Sequence, residues 1–248
     1  MDKVLIMQEG DLTWIILNRE KRRHAIDLEM IKQLGQALAI AEADESKVII
    51  LTGAGNQAFC SGGDLAALQE IKTELDASWM LTQMAHVLEK IFFNRKVTVA
   101  AINGVAIGGG AELATACDFR IASSQAKVGF SQGNAGKATG WGGATMLYER
   151  LSSAAAMEML ISGRLYLADE AQELGFLQGV VYELSFETGI REWVSTYTKQ
   201  ERSVLEMYKA RFTDRFSREH FKHRLKQEVS SCSRLWGNKD NTRPPELY

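Results

Sequence analysis

Along the chain, short apolar runs rich in β-branched residues alternate with stretches in which apolar side chains recur every three or four positions. Thr13-Trp14-Ile15-Ile16-Leu17, Val48-Ile49-Ile50-Leu51, residues 97–102 and residues 118–121 are runs of the first kind and predict buried strands. Behind Asp27, the residues Leu28, Ile31, Leu34, Leu38 and Ala41 follow at spacings of 3, 3, 4 and 3, which predicts an amphipathic helix capped by the Asp27 carboxylate. Ser153 is placed to cap a helix over residues 154–162 closed by Gly163, and Asp169 to cap one closed by Gly175. From about residue 186 the pattern turns helical and more highly charged. The alternation implies an α/β fold, with residues 1–186 as its core and 187–248 as a helical C-terminal region, and no Gly/Ser- or Pro-rich linker divides them.

Composition and charge narrow the function classes. The 248 residues are 46% hydrophobic and 24% charged, values of a folded globular chain rather than a disordered one. Twenty-nine basic against 31 acidic residues leave a net charge of −2, so no global field draws the chain to nucleic acid or anionic lipid. An RNA-binding role would rest on Lys21-Arg22-Arg23 and scattered basic residues between 209 and 226, which solvated helix faces explain more simply. Cys60, Cys117 and Cys232 form no CxxC pair, a sparse, odd set that implies free thiols in a reducing compartment. The N-terminal MDKVLIMQEGDLTWIIL is cut by Gln8, Glu9 and Asp11 and fits neither signal peptide nor anchor, so the expected location is cytoplasmic. Residues 97–111 are the longest uncharged stretch, but Asn103 and four glycines leave them short of the about 20 apolar residues of a membrane helix. No His/Asp/Glu cluster has metal-ligand spacing, so no metal is expected.

Two glycine-rich turns follow apolar strands: Phe59-Cys60-Ser61-Gly62-Gly63-Asp64-Leu65, and residues 103–113, which contain Gly108-Gly109-Gly110-Ala111-Glu112. A glycine run that opens a helix frees backbone N–H groups to face an anion or a polarised carbonyl. Each turn alone is equally explained by close backbone packing. Neither matches GxGxxG, and GKS or GKT is absent, which disfavours dinucleotide and P-loop chemistry. Glu112 stands three residues beyond Gly109, about one helical turn along, flanked by Ala111, Leu113 and Ala114. Those neighbours predict burial, and a desolvated glutamate beside an N–H donor is a candidate general acid or base, whereas polar flanks would have implied a solvated first-turn residue.

Taken together, AFCSGGDLAAL (58–68) and AAINGVAIGGGAELATACDFRIAS (100–123) resemble the enoyl-CoA hydratase/isomerase, or crotonase, family. The likeness extends through LNREKRRHAI (17–26), GWGGATML (140–147) and SGRLYLADEAQELGFLQGVV (162–181), and so over nearly the whole chain. It implies a spiral of ββα units with a helical C-terminal region, and a homotrimer or dimer of trimers. It also implies an acyl-CoA substrate whose thioester oxygen is gripped by the N–H groups of Cys60 and Gly109, with no cofactor beyond the coenzyme A of the substrate. By the same resemblance Arg22, Arg23, Ala25, Ser61, Gly62, Gly63, Asp64, Leu65, Gly108, Gly140 and Trp141 line the substrate site, the two arginines near the CoA phosphates.

Family hydratases work with two glutamates around one water. Glu112 matches the first, but the usual FxxPE segment has become FSQGN, which puts Gln132 in the second position. A glutamine amide hydrogen-bonds water or substrate but exchanges no proton at neutral pH. The hydratase/isomerase reading therefore stands beside two alternatives. One is a malonyl-type decarboxylase, since AELATACDFR and WGG resemble the ethylmalonyl-CoA decarboxylase branch; the other is a CoA-binding protein that has lost catalysis. The strand before Asn103 lacks the family's proline, and the last helix is expected to be shortened to TRPPELY (242–248).

Overall fold

The computed structural model describes residues 2–182 and 185–236, so the TRPPELY segment lies outside the described residues. A hairpin of β1 (Val4–Glu9) and β2 (Leu12–Leu17) leads into α1 (Leu28–Ala43). A strand–strand–helix unit then repeats. β3 (Val48–Gly53) and β4 (Ala58–Cys60) precede α2 (Leu65–Gln69) and α3 (Glu74–Phe92), and β5 (Val97–Ile102) and β6 (Val105–Ile107) precede α4 (Gly109–Ala116). β7 (Phe119–Ser123) and β8 (Lys127–Gly129) precede α5 (Gly143–Arg150) and α6 (Ser153–Ser162). β9 (Tyr166–Leu167), α7 (Ala168–Glu173) and β10 (Gly179–Val181) follow, then α8 (Phe186–Thr198), α9 (Arg202–Thr213) and α10 (Arg218–Trp236).

The first strand of each unit joins a six-stranded sheet, β1-β2-β3-β5-β7-β10, and the second joins a four-stranded sheet, β4-β6-β8-β9. Strands β2, β3, β5 and β7 run parallel, as do β4, β6 and β8, so the chain advances one strand in each sheet per turn of the spiral. Every residue of β3 and β5 is buried, which is why these strands read as continuous apolar runs. Their side chains alternate between two cores: Ile49 and Leu51 point to the helices of the spiral, Val48 and Ile50 to α8 and α9.

Local caps differ in two places from expectation. Asp27 does cap α1, accepting from Met30 N at 2.9 Å. Ser152, extended at φ −60° and ψ 147°, caps α6, so Ser153 is its first residue; of two adjacent serines the one outside the helix takes the role. Asp169 lies inside the first turn of α7 because Glu170 reaches back to Leu167 N at 2.8 Å and starts the helix earlier.

The C-terminal helices close over the core. Phe119 stacks on Tyr197 and meets Trp193, while Phe92 packs with Phe212, Phe216 and Phe221. Leu205 and Leu225 are buried as well. Trp193, Tyr197, Phe212 and Phe216 are half-buried in these contacts. Lys96, wholly buried, donates to Ala41 O, Asp44 O, Asp44 Oδ1 and Ser46 Oγ and ties β5 to the end of α1. No helix among the described residues is long and apolar enough to cross a membrane.

Candidate active site

Residues 22–26 run beside residues 60–64 and are laced to them. Ser61 N donates to Arg23 O, Ile26 N to Gly62 O and Asp64 N to Ile26 O, at 2.8–3.0 Å. Arg19 fixes both segments, donating to Ala25 O and, at 2.8 Å, to Asp64 Oδ2. Burial pushes the Asp64 carboxyl up, but the hydrogen bond and charge of Arg19 hold it below the usual carboxylate range. Asp64 also caps α2 through Ala66 N. Arg22, Arg23 and Leu65 have exposed side chains at the edge of this lacing.

Because Ile26 bonds to Gly62 O and Asp64 N, the backbone of Gly63 between them faces the other way. A Cβ on the neighbouring Gly62, whose φ is +92°, would sit 3.1 Å from Gly109 N, so this loop packs on the start of α4. Among the described residues no acceptor stands against Gly63 N, nor against Gly109 N, the first N–H of α4. Cys60, expected as a donor, lies inside β4 opposite Ala106, and its carbonyl presses on Gly110. Its thiol is buried and pushed up to about 12 by burial.

Glu112, 2% exposed, projects from α4 into the loop before α5. Gln132 Nε2 at 2.9 Å and Gly140 N at 3.4 Å donate to its Oε1, and Trp141 N and Gly143 N, both at 2.8 Å, to its Oε2. Burial, followed by the charge of Glu228, pushes its carboxyl up to about 8, while the N–H groups of Gly143, Trp141 and Gly140 pull the other way. Gln132 Oε1 is buried without a partner, and the side chain rests near Gly108, the N-terminal cap of α4. The Trp141 ring lies against Gly109, where any Cβ would collide with it.

Gly62, Gly63, Gly108, Gly109, Glu112, Gln132, Gly140 and Trp141 are therefore brought together, with Ala25, Ser61 and Asp64 behind them. Glu228 of α10 was not foreseen. It reads as one charge among many on a polar helix, and its only signal is its place beside Leu225, Val229 and Cys232, which are buried. A cavity of about 280 Å³ lined by Ile26, Leu68, Ile71, Trp79 and Met80 opens next to Gly63, where Leu68 touches that glycine's face. A larger groove, about 1470 Å³, runs between α1, α3 and α10 and includes none of these site residues. Among the described residues no three His, Cys, Asp or Glu side chains converge to hold a metal ion.

Comparison with known proteins fits this geometry. An ethylmalonyl-CoA decarboxylase from Gallus gallus is 34% identical over 200 residues, 79% of this chain and 66% of that protein. A short-chain-enoyl-CoA hydratase from Clostridium acetobutylicum is 31% identical over 182 residues, 73% of this chain and 69% of that protein. The crystal structure of an enoyl-CoA hydratase from Bacillus halodurans superposes with a TM-score of 0.89, covering 97% of this chain and 98% of that one at 24% identity. The sequence pattern of the enoyl-CoA hydratase/isomerase family matches residues 8–243, and with the ββα spiral and the two glycine turns in place the chain belongs to that family, within the crotonase superfamily of acyl-CoA enzymes.

Proposed function

We propose that the chain decarboxylates a malonyl-type acyl-CoA, a thioester bearing a carboxylate on its α-carbon. The observation that carries this reading is the contact between Glu112 and Gln132: the carboxyl group of α4 is hydrogen-bonded to a neutral amide where a hydratase would have a second acid. Hydration needs a base for water and an acid for the α-carbon; decarboxylation needs an electron sink and one proton donor. The thioester oxygen accepts from Gly63 N and Gly109 N, the donors we propose in place of the Cys60–Gly109 pair. The bond from the α-carbon to the carboxylate breaks, its electron pair moves into the enolate, and CO₂ leaves. Glu112, held protonated near neutrality, then gives its proton to the α-carbon and regains one from solvent. The sum is substrate plus one proton giving the shortened acyl-CoA and CO₂, with the thioester as electron sink and no resident cofactor.

The name of the Gallus gallus relative supports this chemistry. The cavity beside Gly63 suits the acyl chain, and exposed Arg22 and Arg23 suit the CoA phosphates. A homotrimer or dimer of trimers in the cytoplasm completes the proposal on the family resemblance alone. Hydration of a short enoyl-CoA is the second reading, favoured by the Clostridium acetobutylicum relative. The test is product analysis by mass spectrometry after incubation with ethylmalonyl-CoA, methylmalonyl-CoA and crotonyl-CoA. Faster formation of butyryl- or propionyl-CoA than of hydroxybutyryl-CoA is expected. Predominant hydration would overturn the proposal, and turnover of none would leave a CoA-binding protein.

A further inference from the structure

Helix α5 starts without a local cap, since the preceding residue, Gly142 at φ +100°, has no side chain. Its first three N–H groups are taken instead by two carboxylates from distant parts of the chain. Gly143 N donates to Glu112 Oε2 at 2.8 Å, while Ala144 N and Thr145 N donate to Glu228 Oε1 and Oε2 at 3.1 and 2.9 Å. Thr145 Oγ1 adds a bond of 2.7 Å to Glu228 Oε2. Successive N–H groups of one helical turn lie side by side, so the two carboxylates are held as neighbours. A helix N-terminus carries about half a positive charge, which favours one anion there but not two.

No cation among the described residues relieves the pair. On α10, Arg224 is engaged by Glu149 Oε1 and Thr145 O, and Cys232 is a thiol against Gly140. Lys137 lies over the Trp236 ring, Arg150 at the far end of α5 turns to Asp118, and Gln132 is neutral. The N–H groups of Ala144 and Thr145 and the Thr145 hydroxyl all donate to Glu228, which fixes its carboxyl group in place. We propose that Glu228 is a positioning residue which sets the protonation of Glu112 by fixing a second carboxylate on the same helical turn. The proposal rests on the reading of Glu112 as proton donor. It explains how a carboxyl that receives several backbone N–H bonds, an arrangement that ordinarily keeps a carboxylate ionised, still carries a proton to deliver.

The test is Glu228→Gln, which removes the charge and keeps length and an acceptor oxygen. Two readouts are compared: the protonated-carboxyl infrared band, assigned by its loss in Glu112→Gln, followed against pH in the enzyme without substrate, and the pH profile of kcat on ethylmalonyl-CoA. The infrared midpoint and the alkaline limb of kcat are expected to move down together by about one pH unit, so that the ratio of rates at pH 8 and pH 6 falls several-fold. A structural role alone would lower activity or thermal stability at every pH without moving the midpoint, and an unmoved infrared midpoint overturns the proposal. If the band shifts while the kcat limb stays, the proposal holds and the proton-donor role of Glu112 falls. Glu228→Asp, which withdraws the charge by one methylene, reads the same midpoint should the Gln variant not fold. A smaller downward move is expected, and none would overturn the proposal.

Discussion

Gln132 and Glu112 form a neutral-to-acidic pair: Gln132 Nε2 donates to Glu112 Oε1 at 2.9 Å, and the other amide atom, Gln132 Oε1, is buried without a partner. Rotating the amide by half a turn converts the same contact into acceptance of a proton from Glu112. Glutamine can therefore hold Glu112 in either protonation state, although it exchanges no proton itself.

Gln132→Glu should convert this pair into two carboxyl groups that share one proton, because like charges at that separation do not both ionise. Hydration of crotonyl-CoA is expected to rise by about tenfold as a second proton-transfer group enters the site. Decarboxylation of ethylmalonyl-CoA should fall in the same variant. Both rates are read from product ratios, and unchanged hydration would show that a second acid is not what the site lacks.

Glu112→Gln should lower decarboxylation by about 10²- to 10⁴-fold, the usual worth of one positioned proton donor. Binding of a substrate analogue should persist, since it depends on the backbone N–H groups and the cavity. One amide oxygen cannot replace two carboxylate oxygens in front of Gly140, Trp141 and Gly143, so a stability loss of about 1–3 kcal/mol is expected in urea unfolding. In the native enzyme, activity should decline as pH rises through about 8, where burial and Glu228 place the loss of the Glu112 proton.

Much of this site is legible in the sequence because the spiral is regular. Glu112 and Gln132 are separated by one passage through β7 and β8, so counting along the chain is enough to place them together. The burial of Glu112 follows from its alanine and leucine neighbours. What counting misses is phase. The choice of Gly63 over Cys60 as the proposed donor turns on which groups the bridge at Ile26 consumes, and that pairing is non-local. Glu228 is missed for a related reason, since it reaches α5 only when α10 folds back onto α3 and α5.

All three cysteines are free and buried, with thiols pushed up to about 12 chiefly by burial. Thiol reagents should leave them unlabelled in the native protein and modify them only on unfolding. Cys60→Ala should keep most of the activity, as the thiol's hydrogen-bond partners among the described residues are the backbone groups His24 O and Gly62 N, at a stability cost of about 1–2 kcal/mol. Inactivation by a thiol reagent under native conditions would contradict this.

The Lys96–Asp44 pair should contribute to the acid limb of stability. Burial pushes the Asp44 carboxyl up, but hydrogen bonds from Lys96, Ser46 and Thr13 outweigh it and bring it to about 2. Its folded value lies below the unfolded one, so the stabilisation is present above pH about 4 and is lost as pH falls toward 2. Lys96→Met should cost about 3–5 kcal/mol at pH 7 by leaving Asp44 without its charged partner. That deficit should shrink at pH 3. Urea unfolding at the two pH values reads the difference, and a deficit independent of pH would assign the loss to packing alone.

Gly109 and Trp141 should be coupled. The indole ring occupies the space that a Cβ at position 109 would need, and the ring has little room to retreat, being 4% exposed and tied through its backbone N–H to Glu112. Gly109→Ala should therefore overpack the site, costing about 1–3 kcal/mol of stability. It should also shift the Gly109 N–H and lower activity by about 10²-fold, the scale of a lost oxyanion donor. Trp141→Ala opens the space, so the double variant should be more stable than the sum of the single losses by about 1–3 kcal/mol. A double-mutant cycle in urea measures that coupling. Simple additivity would mean that the ring does not rest on Gly109.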